Sequence, residues 1–276
     1  MADKLTMMAV HAHPDDEASS TGGVLALYSS QGIQTVVVTC TNGEFGDGPG
    51  HVKPGEAGHD EKLVAELRLA ELHEACELLG VSRLELLGYH DSGMESWEYK
   101  SRPDAFCNVP LDIAAGRVAE LMRQYQPDAV VTYYDRGGYN HPDHLQAHRV
   151  AVAAAERTGI PAKLYFTARP AKTWIRLREI LTELGQDMPP RPELDEQRRK
   201  MMDDAEARIT TFVDTSGFIE AKRSALMAHA SQLDESWFAK LPEEAFVELF
   251  GQECFIRDYD RTSTPVPETD LFAGLR

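Results

Sequence analysis

Two short stretches of the sequence gather residues that can do chemistry. The first is AVHAHPDDEASSTGG, residues 9–23. An apolar run stops there at His11, His13, Asp15, Asp16 and Glu17. A strand interior has no use for such a set, because each ionisable group buried unpaired costs several kcal/mol. Either these residues sit on a solvated loop or they hold something. The second stretch is DRGGYNHPDH, residues 135–144, after another apolar run. Each stretch carries an HPD tripeptide: His13-Pro14-Asp15 and His141-Pro142-Asp143. His141, His144 and His148 are spaced so that one helix face can carry them. Catalytic zinc takes three protein ligands from histidine and carboxylate and leaves a position open. His13 and Asp16 can converge from one tight turn, and His144 supplies a third donor. Nitrogen and oxygen donors suit one zinc per chain, with iron(II) or another divalent ion compatible.

The neighbours of that set divide between chemistry and plainer roles. Asp15 can take a proton from a water, as a general base must, or cap the helix that follows. His141 can donate to a developing oxyanion, with Tyr139 helping from the same loop. Asp143 can orient an imidazole, the usual supporting partner of a metal-bound histidine. His11 lies inside the strand pattern and reads as a core or supporting histidine. Glu17 suits a helix N-terminus. His148 and His229 read as packing residues, His51 and His59 as loop residues. The glycines at 46, 48 and 50 lack the spacing of a phosphate loop.

These residues need elements to hold them. Residues 5–10 read as a strand, 18–31 as a helix stopped by Gly32, and 35–39 as a second buried strand. Such a unit implies a right-handed parallel crossover. Residues 42–60 are rich in glycine and proline and read as a long surface loop. An amphipathic helix is expected over 62–79, a short strand over 84–87 and a helix over 111–125. A buried strand over 128–134, a helix over 142–156 and a strand over 163–167 follow. Residues 170–210 are charged and read as a lid or insertion. Residues 216–231 read as a helix, 246–255 as a segment closing the sheet, and the tail from 261 as a surface wrap. The expected fold is α/β: a Rossmann-like, mostly parallel sheet flanked by helices, in one domain over 1–276 with an insertion at about 168–210. In such sheets the site lies beyond the carboxyl ends of the strands, where both stretches fall.

The bulk composition narrows the function. The chain has 276 residues, 42% hydrophobic and 26% charged, enough for a real core. Its 45 acidic residues against 28 Lys and Arg give a net charge of −17. That argues against nucleic acid and against an anionic membrane surface. No apolar run approaches the roughly 20 residues that span a bilayer. The start, MADKLTMMAV, lacks a signal peptide's long apolar region, so the cytoplasm is expected. Cys40, Cys76, Cys107 and Cys254 are far apart and form no CxxC pair, which argues against a disulfide framework or a thiolate metal site.

HAHPDDE at 11–17 and GGYNHPDH at 137–144 resemble the PIG-L/LmbE-like family of zinc-dependent N-deacetylases. The resemblance extends to TNGE at 41–44, the helix at 66–81, DSGM at 91–94 and AHASQ at 228–232. Within that family the chain is similar to the mycothiol enzymes of actinobacteria, the GlcNAc-inositol deacetylase and the mycothiol S-conjugate amidase. PETDLFAGL at 267–275 resembles the tail of the amidase branch. The resemblance implies His13, Asp16 and His144 as zinc ligands, Asp15 as general base, and His141 and Tyr139 near the oxyanion. It implies Arg68 and Asp91 as sugar-binding residues; read from the helix pattern alone, Arg68 would face solvent or an ion pair, and Asp91 would serve a turn before Ser92-Gly93. The implied reaction is hydrolysis of an N-acyl amide on an amino-sugar small molecule, and a homo-oligomer is compatible with it. Residues 96–108 and 168–210 depart from both mycothiol enzymes and should shape the substrate pocket. Two alternatives follow from the residues. One is an amidase repurposed in a natural-product pathway, since a site does not fix its substrate. The other is a metal phosphoesterase, for which a two-metal site would have only Asp15, Asp16 and Asp143 to call on.

Overall fold

A computed structural model of the chain describes residues 4–135, 140–186, 204–233 and 237–276. Seven strands form one sheet: β1 (Thr6–His11), β2 (Gln34–Thr41), β3 (Arg83–Tyr89), β4 (Ala129–Tyr133), β5 (Lys163–Ala168), β6 (Thr211–Asp214) and β7 (Gln252–Asp260). Their order is β3-β2-β1-β4-β5-β7-β6. The first five are parallel; β7 runs antiparallel to β5, and β6 antiparallel to β7. The strands in the middle are apolar on both faces, Met7 to Val10 and Val36 to Val38, because helices cover both sides.

On one face Met7, Ala9, Val37 and Val131 pack against α1 (Asp16–Ser30), α2 (Glu61–Leu78), α5 (Ala171–Glu183), α6 (Ile219–Ala228) and α8 (Glu243–Phe250). On the other, Met8, Val10, Val38 and Val130 pack against α3 (Leu111–Tyr125) and α4 (Pro142–Thr158). From β1 the chain moves outward through β2 and β3, then returns to place β4 on the other side of β1. The ends of β1 and β4 therefore flank the point where strand order reverses, the crevice in which open α/β sheets bind ligands. Both HPD stretches leave the sheet at that crevice.

Several expectations need correction. Residues 246–255 are not one sheet-closing segment. They divide at Gly251, with α8 before it and β7 after, because Phe246, Leu249 and Phe250 recur at helical spacing while Cys254, Phe255 and Ile256 run as a strand. Strand β6 was not anticipated; four residues are too few for a periodic signal. The tail does not merely wrap the surface. Leu271 and Phe272 are fully buried, Phe272 packs edge-on against Tyr28, and buried Glu268 pairs with Lys163 at 2.5 Å. Within 168–210, α5 buries Leu177, Ile180 and Leu181 against the sheet, while 187–203 lie outside the described residues. The helix expected over 216–231 divides at His229 into α6 and a single turn, α7 (Ala230–Leu233).

Candidate active site

β1 delivers His11 into the core and His13 into the crevice. His11 is fully buried and bonds Thr21 Oγ1 through Nε2 at 2.9 Å, the core role its place in the strand suggested. His13 and Asp16 close a tight turn: Asp16 Oδ2 accepts the His13 backbone N–H at 2.9 Å and lies 3.4 Å from His13 Nδ1. From the far side α4 brings His144, whose Nε2 is 3.4 Å from the same Asp16 oxygen. Pro142 opens α4 in the first-turn position that needs no N–H, and His141 caps it by accepting the Asp143 N–H on Nδ1 at 3.2 Å. His13, His141 and His144 offer nitrogens within 4.8 Å of one another.

A second group able to hold a metal ion joins His13, Asp91, His141 and Asp143. Asp16 belongs to neither group but lies 3.4 Å from a nitrogen of each of His13 and His144. Together these donors fit a divalent ion. Two protein atoms held 2.0–2.1 Å from a tetrahedral zinc are about 3.3 Å apart, close to the two separations centred on Asp16. The far nitrogen of His13 meets Asp143 Oδ2 at 3.2 Å, the carboxylate partner that metal-bound imidazoles usually have. Ser92 fixes Asp143 in turn, through its backbone N–H at 2.8 Å and its hydroxyl. The charge balance points the same way. Asp16, Asp91 and Asp143 are all buried and all approach His13, a concentration of negative charge that calls for a cation. Burial alone would raise the Asp16 carboxyl, but the His144 and His13 imidazoles outweigh it and hold it well below the usual range. Burial, then the neighbouring His13 and His144, press His141 down to about 2, so its imidazole is neutral.

Asp15 stands beside this set with its side chain 29% exposed. Its backbone has φ 118° and ψ −24°, outside the regions L-residues ordinarily occupy, and its side chain makes no capping bond to α1. The capping alternative therefore does not hold. Its carboxylate pairs with Arg68 Nη2 at 2.9 Å. Burial pushes the Asp15 carboxyl up to about 6, against the pull of the Arg68 cation. Arg68 is only 4% exposed, and its guanidinium also bonds the carbonyls of Gly43 at 2.9 Å and Pro14 at 2.6 Å. Of its two plainer readings, the ion pair is present and the solvent-facing one is not. Gly43, at φ +73°, is a second positive-φ site, and a Cβ there would fall 2.4 Å from the Arg68 guanidinium. Asp91 accepts the Gly93 N–H at 2.8 Å, as a turn residue would, and also lies 3.6 Å from His13 Nε2. His148 bonds the Tyr133 carbonyl at 2.8 Å and lies on Phe166, so it packs. Tyr139 lies outside the described residues.

Four residues of the site were not singled out for it. Tyr133 ends β4, donates to Asp16 Oδ2 at 2.6 Å and accepts the Ala12 N–H at 2.7 Å. Its run AVVTYY looks like any buried strand, and only the polar end of the ring hinted at more. Glu44 accepts the Asp91 N–H at 2.9 Å, and Ser92 holds Asp143. Glu17, read as a helix-start acid, is fully buried against His229.

Comparison with known proteins gives the family. Residues 8–155 match the family model for GlcNAc-PI de-N-acetylases, PIG-L. The chain belongs to the PIG-L family. It is 36% identical to the mycothiol S-conjugate amidase of Streptomyces coelicolor over 295 aligned residues, covering 100% of this chain and 99% of that one. It is 37% identical to the 1D-myo-inositol 2-acetamido-2-deoxy-alpha-D-glucopyranoside deacetylase of Salinispora arenicola, covering 98% and 91%. Among solved structures it is similar to the 4-carboxy-2-hydroxymuconate hydratase GalB of Pseudomonas putida KT2440, with a TM-score of 0.62, 19% identity and coverage of 95% and 99%. That last likeness is one of fold. Among the described residues no helix is long and apolar enough to cross a membrane.

Proposed function

We propose that this PIG-L protein is a zinc-dependent amidohydrolase that cleaves an N-acyl amide on an amino-sugar small molecule, of the GlcNAc-inositol or mycothiol S-conjugate type. The observation that carries the reading is Asp15, a half-buried carboxylate on a strained backbone, held by Arg68 beside His13, Asp16 and His144. His13, Asp16 and His144 would hold the ion, and Asp143 would orient His13. A bound zinc supplies a Lewis acid that polarises the amide carbonyl and makes a water easier to deprotonate.

The chain's own residues do the rest. Asp15 accepts the proton from the attacking water and returns it to the leaving nitrogen. His141 takes a backbone N–H on Nδ1, which leaves its own proton on Nε2, and a neutral imidazole can give that hydrogen bond to the oxyanion. The resemblance also assigns Tyr139, outside the described residues, to the oxyanion. Arg68 and Asp91, assigned to sugar binding by resemblance, would touch a substrate only at the edge they share with Asp15 and His13, since both are otherwise buried. The four cysteines are unpaired, which fits the reducing cytoplasm.

The test is free-amine release from GlcNAc-inositol, a mycothiol S-conjugate and plain GlcNAc, with elemental analysis of the same sample. Chelator-sensitive release from one of them, with about one zinc per chain, is the expected result. No release from any of the three by protein that contains zinc would overturn the substrate class.

A further inference from the structure

The strained backbone at Asp15 has a support that reaches across the fold. The Asp15 N–H donates to Glu17 Oε2 at 3.0 Å, which pins the peptide whose φ is 118°. Glu17 lies in the first turn of α1. Its other oxygen, Oε1, lies 2.7 Å from His229 Nε2, and both side chains are fully buried. His229 comes from the junction of α6 and α7, 212 residues further along the chain. Among the described residues its Nδ1 meets no partner, so the contact with Glu17 is its imidazole's one side-chain hydrogen bond, with Asp15 and Arg68 near enough to act on it electrostatically. Burying an imidazole and a carboxylate is unfavourable unless they face each other, and facing each other they fix both rotamers.

We propose that His229 is a positioning residue for Asp15: through Glu17 it holds the left-handed backbone that aims the Asp15 carboxylate at the crevice. The inference rests on Asp15 being the base. The same turn offers an internal control. Ser231, two residues on, bonds Glu71 of α2 through its N–H at 2.8 Å and its hydroxyl at 2.6 Å, and touches neither Glu17 nor Asp15. A role in fold stability alone predicts similar behaviour at His229 and Ser231. A positioning role predicts that they separate.

The experiment compares His229→Ala, His229→Gln and Ser231→Ala in the zinc-loaded full chain. GlcNAc-inositol and a mycothiol S-conjugate serve as substrates, with amide hydrogen exchange over residues 12–17 measured alongside. The expected result for His229→Ala is a fall in kcat of about ten- to hundred-fold, with KM and zinc content unchanged. His229→Gln, which can still donate to Glu17, should recover part of that loss. Exchange over 12–17 should quicken in His229→Ala and stay as in wild type in Ser231→Ala. Equal losses of kcat in His229→Ala and Ser231→Ala, or a loss that follows zinc content, would overturn the proposal. Should His229→Ala fail to fold, His229→Gln decides it by the same split of kcat from KM. Should wild type turn over neither substrate, the function proposed above fails while exchange still decides the positioning: unchanged exchange over 12–17 in the His229 variants overturns it.

Discussion

As the proposed base, Asp15 meets opposed demands. To accept a proton near neutral pH, its carboxyl must lie above the usual carboxylate range yet remain ionised. Burial raises it to about 6, and Arg68 at 2.9 Å keeps it from rising further. Its backbone is held at a dihedral that costs on the order of 1–3 kcal/mol, the kind of strain that collects at functional sites. Asp15→Asn keeps the size and removes the base; kcat should fall about 10²- to 10⁴-fold with zinc content unchanged. Full activity in that variant would end the assignment. Arg68→Met tests the electrostatics. Without the cation the Asp15 carboxyl rises, so it is ionised only at higher pH. Activity that needs ionised Asp15 is present above that pKa and lost as pH falls through it. The acid limb of the kcat/KM profile should therefore move to higher pH in Arg68→Met, and a limb that stays in place would detach Arg68 from the base.

At the scale of elements, the site depends on where α1 sits, because its first turn carries Asp16 and Glu17. Glu253 at the start of β7 holds that helix from below. It accepts the N–H groups of Gly23 and Val24 at 2.8 and 2.9 Å, and Lys222 of α6 donates to it at 2.6 Å. Gly23 is what allows the approach, since a Cβ there would lie 2.4 Å from Thr215 Oγ1 and 3.0 Å from Glu253 Oε1. Gly to Ala in a helix interior ordinarily stabilises by about 0.5–1 kcal/mol. Here overpacking of about 1–3 kcal/mol opposes it. Gly23→Ala should lower the urea midpoint, and a raised midpoint would show that α1 has room to move. The same elements mark how far the sequence could be read. The strands β1, β2 and β4, and the helices α3 and α4, announce themselves by apolar runs and period, and both HPD turns fall where such strands must end. β6 is too short to have a period. The Glu17–His229 and Ser92–Asp143 contacts join distant segments, so no local pattern encodes them. Tyr133 is invisible for the opposite reason: its ring belongs to the strand pattern and only its hydroxyl to the site.

For the whole molecule, the crevice concentrates negative charge that a bound cation would neutralise. With a net charge of −17, the chain buries Asp16, Asp91 and Asp143 around one imidazole, with Asp15 at the edge of the same pocket. Without an ion these carboxylates repel one another, and His13 is driven to hold a proton: burial would lower its pKa, but Asp91, Asp143 and Asp16 carry it well above the ordinary value. An ion that binds the folded chain and not the unfolded one stabilises it by mass action, by about 2.7 kcal/mol at a free concentration 100 times its Kd. Chelator-treated protein should therefore unfold at a lower temperature than zinc-loaded protein, and added zinc should restore the difference. The direction with pH follows from the ligands. His13, whose pKa is raised, must lose its proton to bind, so protons compete with zinc, and the shift in Tm should shrink as pH falls from about 8 to about 6. His13→Ala, which removes one donor and the focus of the three carboxylates, should lose the zinc-dependent shift at every pH. Equal Tm values with zinc and with chelator in the wild-type chain would mean that the carboxylates are neutralised by protons instead, and that the donor set of His13, Asp16 and His144 does not hold a metal.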